Sequence, residues 1–281
     1  MKLKRLLLFS GFFYALVLSA NIMAKPQRVV SLNLCADQLL MELLPPDRLV
    51  GITQLAADSG ASYLYQKADS FHQHSSRIEE IMALKPDLII AGQFTSQPTN
   101  QLLESLDYKV IRLGLPVTVN GIFQQINFLA EQLGQSDRAA ELIAKMQREL
   151  NALAAARDKR NLRAVVYYAN GFSAGQHTIV NEILNLAGFK NIAVELNIDH
   201  IAPLSLEALI ASNPDVLLLG RLDDNTDSLA HQVLRHTAID RYAALKQVTK
   251  IMVPDRYWSC AGPSSLAAAA YLQQNVPDSS N

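Results

Sequence analysis

Charge is scarce in this chain: only 18% of its 281 residues are Asp, Glu, Lys or Arg, against about a quarter in an ordinary domain. The 25 basic side chains nearly balance 26 acidic ones, so there is no global basic field to hold nucleic acid. Cysteine is scarcer, with only Cys35 and Cys260, which excludes a disulfide-dense scaffold. Gly-x-Gly never occurs, so the dinucleotide fingerprint is missing; so are a Walker A loop, a Gly-x-Ser-x-Gly elbow and a His-Glu-x-x-His pair. These absences weigh against the common enzyme classes. What remains is an apolar fraction of 49%, which excludes disorder, and a length that allows one large domain or two lobes.

The N-terminus carries Lys2, Lys4 and Arg5, then a run from Leu6 to Leu18 interrupted only by Ser10 and Gly11, then small and polar residues to Ala24. That order is expected of a secretory signal peptide, 1–24, cleaved after Ala24 or, as second choice, Ala20. A retained anchor is the alternative, because Leu6 to Ala24 has no charge over 19 residues. No cysteine stands near the cleavage region to take a lipid, and no later segment is apolar enough to span a bilayer. Without its leader the chain carries 22 basic and 26 acidic groups. In an oxidising compartment Cys35 and Cys260 are either a disulfide or two thiols; the sequence leaves this open.

An internal repeat organises the rest. Ile78 to Gly92 (IEEIMALKPDLIIAG) reappears 128 residues later as Leu206 to Gly220 (LEALIASNPDVLLLG). Each copy reads as a short amphipathic helix, a Pro-Asp turn that cannot continue it, and a strand apolar on both faces. Such strands suit a parallel sheet covered by helices. Each half opens with a further strand, Arg28–Leu32 and Arg163–Tyr168, followed by helices near 36–44 and 178–187, the second stopped by Gly188. Between the halves, Ala139, Leu142, Ile143, Met146, Leu150 and Leu153 mark one face of a helix over 136–157, roughly 33 Å long. The fold class expected is α/β: two lobes with mainly parallel sheets, joined by a single bridging helix, with a ligand cleft between them. The boundaries are 25–135, 136–158 and 159–272, with a frayed tail over 273–281.

Ligands of open α/β sheets bind beyond the carboxyl ends of the strands. Those ends carry Asn33-Leu34-Cys35, Gln93-Phe94-Thr95, Asn170-Gly171-Phe172, Arg221 and the loop Asp255-Arg256-Tyr257-Trp258-Ser259-Cys260. Trp258 and Tyr257 beside Arg256 suit stacking on a large planar ligand whose carboxylates meet the guanidinium; equally, Trp258 plugs the core under its loop. The candidate ligand-binding residues at these ends are therefore Cys35, Phe94, Phe172, Arg221, Arg256, Tyr257, Trp258 and Cys260. His72 and His74 form a His-x-His, with His177 and His200 in other loops, but no carboxylate stands at ligand spacing and no metal site is expected. Glu79 and Glu207 occupy equivalent places in the repeat; Ser76-Arg77-Ile78-Glu79 fits a capping box, and an exposed carboxylate pair fits docking on arginines.

Two α/β lobes, a bridging helix, a signal peptide and the repeated helix–Pro-Asp–strand resemble the periplasmic binding proteins that serve ATP-driven importers of ferric siderophores and cobalamin. Arg28–Leu32, Ile78–Gly92 and Leu206–Leu219 carry the resemblance, which spans nearly all of the chain after the leader. It implies a non-enzymatic monomer without cofactor, whose cargo is a bulky metal chelate held between lobes that move little. In the cobalamin-binding relatives aromatic residues from both lobes line the cleft, and Tyr168, Phe172, Tyr257 and Trp258 occupy comparable loops here, which adds Tyr168 to the candidate ligand-binding residues. It also implies that Glu79 and Glu207 meet arginines of the importer permease. Hydroxamate and catecholate binders bring several arginines to the cleft; here only Arg221 and Arg256 are well placed, which favours a less anionic corrinoid. A disulfide between Cys35 and Cys260 would limit opening. The rivals are a binder of bare zinc or manganese through His72 and His74, and a secreted enzyme using Cys35 or Cys260 as nucleophile.

Overall fold

The computed structural model describes residues 25–157, 161–221, 234 and 236–276; the expected leader at 1–24 and the last residues of the expected tail, 277–281, lie outside them. In chain order the strands are β1 Val29–Ser31, β2 Leu49–Thr53, β3 Gln73–His74, β4 Leu88–Gly92, β5 Val110–Leu113, β6 Arg163–Tyr167, β7 Phe172–Ala174, β8 Lys190–Asn191, β9 Ile201–Pro203, β10 Val216–Arg221 and β11 Thr249–Pro254. The helices are α1 Leu34–Leu43, α2 Tyr65–Ala68, α3 Ile78–Ala83, α4 Gln97–Ser105, α5 Val119–Leu133, α6 Ser136–Ala155, α7 Ile179–Ala187, α8 Ile192–Glu195, α9 Leu206–Ala211, α10 Thr237–Lys246 and α11 Pro263–Asn275.

Two parallel sheets result, ordered β3-β2-β1-β4-β5 and β11-β10-β6-β8, with β7 and β9 pairing antiparallel beside the second. Every residue of β4 is buried, as expected of a strand covered on both faces. Each large aliphatic side chain hidden there contributes roughly 1.5–3 kcal/mol. Parallel strands need crossovers, so the intervening helices run back against them and start at the strands' carboxyl ends. That is why α1, α3, α7 and α9 all begin on the cleft side.

The repeat is carried into tertiary detail. Lys85 and Asn213, each just before Pro-Asp, both take a left-handed backbone, with φ of 47° and 49°. The Arg28 guanidinium donates to the carbonyls of Leu84 and Lys85, and Arg163 donates to those of Ser212 and Asn213. Asp87 accepts from the Gln27 and Arg28 amides, and Asp215 from the Arg163 amide. Each half thus clamps the end of its short helix to the start of its first strand.

Helix α6 buries Ala139, Leu142, Met146 and Leu153, the face its periodicity predicts, and packs against α1 and α5 on one side and α7 and α11 on the other. The expected tail starts too early: Gln273 lies inside α11, and its side-chain amide donates to the Leu153 carbonyl at 3.1 Å. Small alanines on α11 let it seat closely, so the chain stays helical to Asn275. Among the described residues no helix is long and apolar enough to cross a membrane.

Candidate ligand-binding cleft

The carboxyl ends of β1, β4 and β5 meet the segment after β11 across a small pocket. Asn33, Gly92, Gln93, Phe94, Leu115, Pro116 and Gln125 line it from the first half, Ser259 and Ala261 from the second. Asn33 is fixed because its side chain caps α1, accepting from the amides of Cys35 and Ala36. Gly92 is required where it stands: a Cβ there would come within 2.6 Å of the Asn33 side chain. Phe94, 79% exposed, is the largest unburied apolar group at this rim. No Asp, Glu, Lys or Arg lines the pocket.

Cys35 and Cys260 form a disulfide, with Cα atoms 5.2 Å apart across 225 residues of chain. It ties the start of α1 to the segment leading into α11, directly beside the pocket. Both sulfurs are bonded, which removes the nucleophilic thiol that a cysteine enzyme would need.

The aromatic residues divide differently from their expected arrangement around a ligand. Trp258 is buried, only 6% exposed, so its ring offers no open face for stacking. It lies edge-on to Tyr168, centroids 5.7 Å apart, and its indole N–H donates to Asp255 Oδ1 at 3.3 Å. The half-buried Tyr168 is packed into the same cluster, where burial and the nearby Asp255 carboxylate push its phenol pKa up. Neither lines the pocket. Phe172 is half-buried on β7, opposite Pro203 of β9, away from the pocket. Arg221 ends β10, paired with Pro254; its side chain lies outside the described residues.

Arg256 and Tyr257 join the halves. Arg256 Nη1 donates to the Ser59 carbonyl at 3.1 Å and its guanidinium sits 5.6 Å from the Tyr257 ring centre. Tyr257 stacks on Tyr271 at 5.1 Å and meets Tyr63 at 5.7 Å. This places Arg256 in a tie between the two halves, a different arrangement from the expected meeting with cargo carboxylates. With the disulfide and α6, it links the two halves on either side of the pocket. Sequence reasoning misses Tyr63, Leu115, Pro116 and Gln125; the one signal for Leu115 and Pro116 is the Gly114 that follows the strand-like segment Val110-Ile111-Arg112-Leu113.

His74 is buried with both ring nitrogens engaged: Nε2 lies 2.9 Å from the Ser31 carbonyl, and Nδ1 accepts from the Ser76 amide at 3.0 Å. Burial lowers its pKa, and a neutral ring so held cannot be half of a metal-binding His-x-His with the exposed His72. The expected absence of a carboxylate beside the histidines is also corrected. Asp199 stands between His177 and His200, and their ligand atoms lie within 4.8 Å of one another. Sequence spacing hid the group because His177 comes from a different turn.

Glu79 is exposed in the first turn of α3, and the capping box expected of it is not formed. The neighbouring Glu80 instead accepts from Arg77 and from the Ser75 amide and hydroxyl, which hold its pKa down to about 2. Glu207 occupies the matching place on α9, exposed, its pKa lowered by its own amide and by Ser205. Both helices begin on the cleft side, so the two carboxylates share the molecule's cleft-bearing end.

Residues 29–256 match the family described as "Periplasmic binding protein". The chain belongs to that family. The periplasmic heme-binding protein RhuT from Roseiflexus sp. RS-1, in apo form, superposes with a TM-score of 0.72 at 24% identity, covering 89% of this chain and 97% of that one. Among curated sequences, a cobalamin-binding protein of Halobacterium salinarum is 27% identical over 222 residues, 78% of this chain. The chain spans 60% of that relative's length. A vitamin B12-binding protein of Yersinia pseudotuberculosis is 23% identical, with 93% of this chain and 92% of the relative covered. The periplasmic binding protein described here thus shares the two-lobed fold and sits among binding proteins rather than enzymes.

Proposed function

We propose that this periplasmic binding protein captures a corrinoid in the cleft between its lobes and delivers it to the permease of an ABC importer. The observation that carries the cargo is the lining. Side-chain amides of Asn33, Gln93 and Gln125 alternate with Phe94, Leu115 and Pro116, and no ionised group stands among them. A corrin is a broad macrocycle fringed by neutral carboxamides, so it offers apolar area to the Phe94 ring and hydrogen-bond partners to the amides. A triply charged catecholate chelate would find no cation there. The enclosed volume is about 80 Å³, far below a corrin's, so the pocket acts as the floor and the macrocycle lies above it, toward the rim that Phe94 marks. The names of the cobalamin- and vitamin B12-binding relatives support the same reading.

In this reading 1–24 is a cleaved leader and 25–135 and 159–272 are the lobes that 136–158 joins. The protein works as a monomer, the chelated metal being cargo and no cofactor being needed. Glu79 and Glu207, one per lobe, dock on arginines of the permease. The test is calorimetric titration of the purified protein with cyanocobalamin, cobinamide, hemin and a ferric hydroxamate. Saturable binding of the corrinoids, weakened in Phe94→Ala, is expected. Binding of hemin or the ferric chelate with no response to either corrinoid overturns the proposal.

A further inference from the structure

The His177–Asp199–His200 group lies outside the pocket and shares no residue with it. His177 Nδ1 is 2.8 Å from Asp199 Oδ1, and His200 Nε2 is 3.7 Å from Asp199 Oδ2. All three side chains are more than half exposed. Zinc holds imidazole nitrogens and carboxylate oxygens at about 2.0–2.2 Å in a tetrahedron, which puts donors roughly 3.3–3.5 Å apart. The two histidine–carboxylate distances, one to each oxygen of Asp199, bracket that spacing, and one ligand atom from each of the three side chains lies within 4.8 Å of the others.

The backbone beneath is closed on itself. The Gly175 amide donates to the His200 carbonyl at 2.8 Å, the His200 amide to the Gln176 carbonyl at 2.8 Å, and the Gln176 amide to the Ile198 carbonyl at 2.9 Å. Gly175 makes this closeness possible, since a Cβ there would lie 1.8 Å from the Ile198 carbonyl oxygen. The two turns are therefore locked together, and the donors they carry are brought into range before any ion arrives. Two imidazoles and one carboxylate form a borderline donor set suited to first-row divalent cations rather than calcium or magnesium.

We propose that His177, Asp199 and His200 form a surface site for a divalent transition cation of the zinc class, separate from the cargo cleft. On binding, His177 takes the tautomer with its proton on Nε2, which frees Nδ1 for the metal in place of the hydrogen bond to Asp199, with one coordination position left to water. The cation staples the turn before α7 to the segment that runs through β9 to α9. This proposal does not depend on the identity of the cargo.

The experiment is zinc chloride titration of untagged, EDTA-stripped protein by calorimetry, with thermal melts run alongside. The expected result is one zinc per chain at micromolar affinity and a melting temperature raised by zinc. In His177→Asn/His200→Asn the affinity should fall by roughly tenfold or more, because the tetrahedral set loses two of three protein donors. Asparagine is chosen because both histidines hold a left-handed backbone, with φ of 58° and 54°, which it tolerates. Asp199→Asn supplies a single-site check that keeps the side-chain shape, and His72→Ala should leave binding unchanged. Wild-type protein that takes up no zinc overturns the proposal whether or not any variant folds. So does zinc uptake that survives undiminished in the double variant or disappears in His72→Ala.

Discussion

Replacing Cys35 by serine and Cys260 by alanine should loosen both the fold and the cleft. Alanine is preferred at 260 because that side chain is only 3% exposed, and a serine would bury a hydroxyl. The disulfide closes 225 residues, and the chain-entropy relation then gives roughly 5 kcal/mol of stabilisation through the unfolded state, at the top of the measured range. For a chain of this length that corresponds to a fall in melting temperature of about 10 °C or more. The second effect is local. The bond links the start of α1 to the segment carrying Ser259 and Ala261, on opposite sides of the pocket, so its loss leaves Arg256, the tyrosine contacts and α6 to hold the halves. Bound cargo should dissociate faster in the double variant. Scanning calorimetry of both proteins, with and without reductant, and a thiol titration under denaturing conditions test this. Unreduced wild type with two free thiols, or a double variant that melts with wild type, would refute the reasoning.

Asp37 gives a pH-dependent prediction. It is fully buried on α1, accepts from the Thr53 amide at 3.2 Å and pairs with the Thr53 hydroxyl at 2.5 Å, and burial pushes its pKa from 3.8 up to about 7. The folded state therefore holds a proton that the unfolded state has released, and stability present below about pH 4 is lost as pH rises toward 7, by at most about 4 kcal/mol. Asp37→Asn keeps the acceptor for Thr53 and should gain on wild type steadily over that window; a difference in melting temperature that stays constant from pH 4 to 8 would contradict it. For docking, Glu79→Ala/Glu207→Ala should bind cargo like wild type yet lose most affinity for reconstituted transporter, and undiminished affinity would sink the docking role.

The repeat was legible because it rests on local rules. Pro86 and Pro214 stop helices, Leu88–Ala91 and Val216–Leu219 are apolar on both faces, and these alone call for parallel sheets covered by helices. The face of α6 was equally readable, since a periodicity of 3.6 states which side is buried. Even the equivalence of Glu79 and Glu207 followed from matching one segment to the other.

The cleft was legible only in outline. Strand ends named its loops, but whether a side chain faces a ligand or the core depends on partners far away in sequence. Trp258 turns inward because Tyr168 and Asp255, brought alongside by parallel pairing of β6, β10 and β11, give its ring an edge contact and its N–H an acceptor. Arg256 reaches across the molecule to Ser59, and Cys35 finds Cys260. His74 becomes a buried strut beneath Ser31, while His177 gains Asp199 as a neighbour. The sequence by itself determined the two-lobed plan, because helix stops, burial periodicity and the repeat act within a few residues. Only the tertiary structure decided which groups meet, because contact between distant residues is set by how whole strands and helices stack.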